Sequence, residues 1–159
     1  MAEFHIRPLQ SSDAAWVNRL VAEQWGADFV VAHGAIYYPR DLPGFAAYAG
    51  SERIGLVTYR VEGDACEIVT LDSLRPGLGV GTALIEAVKT AAQARRCRRL
   101  WLITTNDNLN ALRFYQKRGF VLVAVHRNAV EEARQYKAIP PIGSDGIPIR
   151  DEIELEMIL

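Results

Sequence analysis

The sequence predicts a mixed α/β fold in which an antiparallel meander leads into a βαβ unit, with helices on both faces of a mixed sheet. Three observations carry this. Residues 45–49, 53–62 and 65–73 are β-favouring runs joined by the turn-formers Gly50-Ser51-Glu52 and Gly63-Asp64, as a meander requires. Beyond Ser73 the apolar period changes from that of a strand to that of a helix, across a turn with glycine at 77, 79 and 81. Residues 100–103 then form an unbroken apolar run, typical of a strand buried on both faces, which closes a right-handed strand–helix–strand crossover.

Taken in order, residues 4–9 alternate as a first strand, and Ser11, Ser12 and Asp13 are placed to cap the helix that follows. Trp16, Val17, Leu20 and Val21 give that helix its buried face, and Gly26 stops it. Residues 27–43 mix Asp28, Phe29, His33, Tyr37, Tyr38, Arg40 and Asp41; they read as a short helix plus loop, or as loop throughout. The long helix runs from Thr82 to about Arg95, with Ala83, Leu84, Ala87, Val88, Ala91 and Ala92 on its apolar face. After the strand at 100–103, Asn106-Asp107-Asn108 cap a helix over 109–118 that ends at Gly119, and a strand over 120–126 follows. Residues 129–137 carry a weak helical period, and the prolines and glycines of 139–148 dictate a loop. At the end Ile153, Leu155, Met157 and Leu159 alternate with Glu152, Glu154, Glu156 and Ile158, a strand with one face mostly exposed.

A chain of 159 residues fills one ordinary domain with a full core, so residues 1–159 are expected to form a single domain. Its 18 basic and 19 acidic side chains provide no field for nucleic acid or an anionic membrane. The cluster Arg95, Arg96, Arg98 and Arg99 suits the carbonyl end of the long helix. Cys66 and Cys97 lie in apolar surroundings without metal or redox spacing and read as small core residues. With no membrane-length apolar run and no secretory h-region at the start, the chain is expected to be cytoplasmic.

The glycine turn carries the chemistry. Residues without a Cβ let backbone N–H groups converge while a ligand approaches closely, and a helix start adds unpaired donors and about half a positive charge, so a phosphate or diphosphate fits there. The dinucleotide fingerprint would need glycine or alanine at Thr82, counted from Gly77, or at Leu84, counted from Gly79, and the nucleotide-hydrolase loop would need Lys and Ser/Thr after Gly81; neither is present.

Two blocks in the second half resemble the GNAT superfamily of acetyl-CoA-dependent N-acetyltransferases. Gly77-x-Gly79-x-Gly81 is similar to that family's diphosphate loop, and Asn108-x-x-Ala111-x-x-x-Tyr115-x-x-x-Gly119-Phe120 to its late helix. Pro76 stands where the family usually has Arg or Gln, with Arg75 beside it. The resemblance implies a GNAT-like fold and acetyl-CoA as co-substrate. It further implies that the main chain of Gly77, Leu78, Gly79, Val80, Gly81 and Thr82 binds the diphosphate. Leu71 and Ser73 would pair with the pantetheine arm, and Asn108 would lie near it. It implies that Tyr115 is the general acid that protonates the departing thiolate, and that Glu67 is the base for the attacking amine. Asp72, on the opposite strand face from Glu67, and Asp28, His33 and Asp151 are the other candidate bases. His33, Tyr37, Tyr38, Tyr136, Arg150 and Asp151 are candidates for the acceptor wall. The acceptor expected is a small-molecule primary amine, with a protein lysine or N-terminus as the alternative, and the family implies a homodimer. A non-catalytic acyl-CoA-binding sensor is the rival reading.

Overall fold

The computed structural model describes residues 3–159, which form two compact units. The first runs to Val30, resumes over Tyr38–Leu100 and takes in Leu159; the second comprises Val31–Tyr37 and Trp101–Ile158.

In the first unit β1 (His5–Pro8), β4 (Gly44–Ala49), β5 (Glu52–Glu62) and β6 (Ala65–Ser73) lie side by side in the order β1-β4-β5-β6, each antiparallel to the next. The meander is as expected. α1 (Ala14–Trp25) buries Val17, Leu20 and Val21 and ends at Gly26, whose left-handed backbone (φ 79°) donates its N–H to Ala22 O. Asp13, however, does not cap α1 with its side chain. Its carboxylate accepts instead from Gln10 N–H, Tyr48 Oη and Arg53, because a buried carboxylate is best satisfied by a guanidinium.

α2 (Val80–Ala94) packs on β4, β5 and β6 through Val80, Leu84, Ile85, Val88 and Ala92. Its closest approach is at Gly55, where a Cβ would stand 2.6 Å from Val80 Cγ1 and 3.1 Å from Leu84 Cδ1. Only glycine lets the helix sit that near the strand. The helix begins two residues earlier than its apolar period suggests, at Val80, so Gly81 lies inside it. Arg98 N–H then donates to Asp64 O at the head of β6, where β7 (Arg99–Thr105) starts.

The pairing of β5 with β6 shifts between Thr58 and Tyr59, leaving Val69 as an extra residue on β6. Leu56, Thr58 and Arg60 alternate regularly on one face of β5, and their partners are Asp72, Thr70 and Glu67. Asp72 and Glu67 therefore share a face, whereas simple alternation sets them on opposite ones. That face is turned away from α2, since the Gly55–Ser73 pair lies on the helix side.

In the second unit β7 continues, and the strand order is β7-β9-β8, with β8 (Val121–His126) and β9 (Glu152–Ile158) antiparallel. α3 (Leu109–Lys117) has Asn108 as its N-cap, Oδ1 accepting from Ala111 N–H at 3.1 Å. α4 shrinks to Val130–Ala133, a single turn, in line with its weak period. The segment read as helix or loop is a small hairpin instead, β2 (Val30–Ala32) with β3 (Ala35–Tyr37), turning through His33 (φ 41°) and Gly34 (φ 78°). Three-residue strands are too short to declare a period in sequence. β9 departs from expectation as well. Glu152 is 4% exposed and Glu154 is half-buried, so the glutamate face is not an open one. β8, by contrast, leaves Val121, Leu122, Val123 and Val125 exposed. Among the described residues no helix is long and apolar enough to cross a membrane.

Candidate functional site

The end of β6, the glycine turn and the start of α2 are continuous in the first unit. Leu71 is half-buried and Ser73 exposed, its Oγ 3.4 Å from Arg75 O. Gly77 and Gly79 both have left-handed backbones, φ 87° and 82°, and Gly79 is the N-cap of α2. A Cβ on either would meet no atom within 4 Å, so what forces glycine here is dihedral angle, and the mouth of the turn is open. Val80, Gly81 and Thr82 make up the first turn of a 15-residue helix, where N–H groups have no intrahelical acceptor. Donors, dipole and open access together fit a diphosphate. Arg75, the residue beside Pro76, is ion-paired with Glu52, and both are well exposed.

Glu67 is 3% exposed, on the strand face opposite α2. Asp72, further along that face, accepts an N–H from Trp25 Nε1 at 3.1 Å, which ties the end of α1 to the sheet. Burial pushes the Asp72 carboxyl up to about 6, the indole N–H lowering it only in part. Asp28 is bound to Arg40 at 2.9 Å on the surface. Cys66 and Cys97 are free and buried as expected, burial pushing the Cys66 thiol up to about 12.

The second unit holds Asn108 and Tyr115, seven residues and so about two helical turns apart on one side of α3. Tyr115 is 8% exposed, edge-on to Phe114 and Phe120 at 5.3 and 5.4 Å. Asn108 spends its Oδ1 on the cap and stands exposed, so its amide nitrogen is the part available to a ligand.

Of the proposed acceptor wall, Asp151 is engaged in holding its own loops. Arg150 and the Asn128 N–H keep its carboxyl below the usual range, so it is a poor proton acceptor near neutrality. Asn106 binds the same stretch, accepting from Arg150 and Asp151 N–H and donating to Pro148 O. Tyr136 and Tyr38 are exposed, 50% and 42%. His33 and Tyr37 come together, Nε2 and Oη 3.1 Å apart, with the His33 ring 5.1 Å from that of Trp101. Beneath the same turn Glu152 Oε1 accepts the His33 backbone N–H at 3.1 Å. Burial raises the Glu152 carboxyl, and the His33 N–H and the imidazoles of His33 and His126 hold it back in part.

Sequence reasoning missed Trp25, Trp101 and Glu152. Trp101 sits inside an apolar run, and Glu152 in an alternating strand end; only three-dimensional packing marks them out.

A family model described as the acetyltransferase (GNAT) family matches residues 13–120. The chain is 46% identical over 140 residues to the uncharacterized protein YdhI of Bacillus subtilis strain 168, covering 87% of this chain and 88% of that one. Its fold is similar to that of an IAA acetyltransferase from Bacillus cereus, with a TM-score of 0.74, 21% identity, and 99% and 100% of the two chains covered. A GNAT family acetyltransferase from Elizabethkingia anophelis, solved with acetyl-CoA bound, gives 0.72 at 20% identity and full coverage of both chains. On the strength of the family match, which spans more than half of its length, the chain belongs to the acetyltransferase (GNAT) family.

Proposed function

We propose that this protein is an acetyl-CoA-dependent N-acetyltransferase acting on the primary amine of a small molecule. The observation that carries the reading is the open glycine turn at the mouth of α2, with Gly77 and Gly79 in left-handed conformation just before the first turn of a 15-residue helix. The main-chain N–H groups from Gly77 to Thr82 hold the coenzyme's diphosphate, and the ends of Leu71 and Ser73 take the pantetheine arm, with Asn108 Nδ2 as a further donor. The acceptor nitrogen attacks the thioester carbonyl, forming the C–N bond as the C–S bond breaks. Tyr115 gives its hydroxyl proton to the thiolate, and Glu67 takes a proton from the nitrogen. The proposal puts the reaction in the cytoplasm, in keeping with two free cysteines.

Acetyl-CoA is expected to raise the melting temperature, because a ligand of the native state stabilises it by mass action. Thiol release against a panel of small amines then identifies the acceptor class. Tyr115→Phe should lower kcat by about 100-fold or more while the coenzyme-induced shift stays near wild type. An unchanged kcat would remove Tyr115 from the mechanism. Coenzyme binding without thiol release from any amine or peptide would select the sensor reading.

A further inference from the structure

In the first unit the fold leaves one carboxylate, that of Asp72, short of partners. Trp25 Nε1–H donates to its Oδ2 at 3.1 Å, and its Oδ1 has no hydrogen-bond partner among the described residues. That oxygen reaches solvent: Asp72 is half-buried, and no fully buried side-chain oxygen or nitrogen of the described residues lacks a partner. Ionisation of the group is costly, since burial raises its carboxyl to about 6 and the indole N–H offsets this only in part. Asparagine would accept the same N–H without that cost. An acid in such a setting suits a place where a positive charge arrives from outside.

Its position fits an acceptor and not the coenzyme. Asp72 lies between Leu71 and Ser73, which take the pantetheine arm in the reading above, but on the strand face turned away from α2, whose mouth takes the diphosphate. A carboxylate on the other face would repel that diphosphate. Glu67, to which the reacting nitrogen is assigned, shares the face, standing opposite Arg60 of β5 where Asp72 stands opposite Leu56. Four residues of extended strand separate the two positions by about 14 Å. Side chains stand roughly perpendicular to a sheet, so one nitrogen does not bond to both carboxylates across that span. A charge held at Asp72 is therefore a second one.

We propose that Asp72 is the binding site for a second positive charge on the acceptor, so that the substrate is a small diamine, one nitrogen of which is acetylated while the other, as ammonium, donates to Asp72 Oδ1. The inference rests on the acetyl-transfer reading above. Charged groups on the neighbouring elements do not fill this role. Arg19 and Glu23 of α1 are exposed, and on β5 Glu52 is paired with Arg75 and Arg53 with Asp13.

The test compares a series of α,ω-diaminoalkanes with monoamines of matching length, by thiol release from acetyl-CoA. Wild type should favour the best diamine by about 10- to 100-fold in kcat/KM, as a hydrogen bond to a charged group implies. In Asp72→Asn that preference should disappear, the loss showing in the KM of the diamine and not in kcat, while the coenzyme-induced melting shift, which reports folding, is retained. The wild-type preference should fade below about pH 6 as the carboxyl takes a proton. Trp25→Phe, which removes the N–H that lowers this carboxyl, should move the fade to higher pH. A wild-type enzyme that treats diamine and monoamine alike, a preference that survives in Asp72→Asn, or a loss shared equally by both amines overturns the proposal and leaves the acetyl-transfer reading in place. No thiol release by wild type with any amine overturns that reading, and this inference with it.

Discussion

At the start of α1, Asp13 accepts hydrogen bonds from Gln10 N–H at 2.8 Å, Tyr48 Oη at 3.0 Å and Arg53 at 2.8 and 3.1 Å. Under the β2–β3 turn, the equally buried Glu152 accepts one backbone N–H from His33, with imidazoles rather than a guanidinium nearby. Burial pushes both carboxyls up. At Asp13 the Gln10 N–H, Arg53 and Tyr48 more than offset it and hold the group below the usual range; at Glu152 burial prevails. Asp72, with a single indole donor, falls on the Glu152 side. A fully partnered carboxylate is a strut. One left short of partners is costly to keep ionised, which suits a place where a ligand's charge or a proton is to be handled.

Mutations can break that distinction. Asp13→Ala leaves the Arg53 guanidinium half-buried without its ion-pair partner and should cost about 2–4 kcal/mol, read as a lower melting temperature at pH 7. Because the folded Asp13 ionises below its unfolded value, its contribution is present above pH of about 4 and is lost as pH falls through the folded value, so the penalty should shrink in acid. Asp72→Asn should do the opposite and stabilise by about 1–3 kcal/mol above pH 6, since Asn still accepts from Trp25 and removes a charge that the fold raises. For a carboxyl raised in the fold, the unfavourable term is complete above the folded value and absent below the unfolded one. The gain should thus fade from pH 6 downward and vanish below about 4. Glu152→Gln should show a smaller gain of the same sign, measured by the same melts. A destabilised Asp72→Asn at pH 7.5 would erase the distinction.

Much of the first unit could be read from the chain. The meander, the glycine turn and the long helix follow from strand and helix periods and from turn residues, which are local signals. What escaped were features set by pairing across the sheet. The extra residue at Val69 belongs to a register, and nothing in Glu67–Asp72 announces it, so the two carboxylates were assigned to different faces. The hairpin around His33 has strands of three residues, and its partners lie far along the chain, Glu152 being 119 positions away. Tyr115 and Asn108 could be put forward together from the chain because they lie within one motif on one helix.

The two cysteines have a practical corollary. A thiolate is the reactive form, and Cys66, buried with its thiol at about 12, is almost wholly protonated at assay pH; burial raises the Cys97 thiol too. Ellman-type chromogenic disulfides should therefore leave the native enzyme untouched, and each equivalent of colour developed during turnover can be credited to liberated coenzyme without a blank for the protein itself.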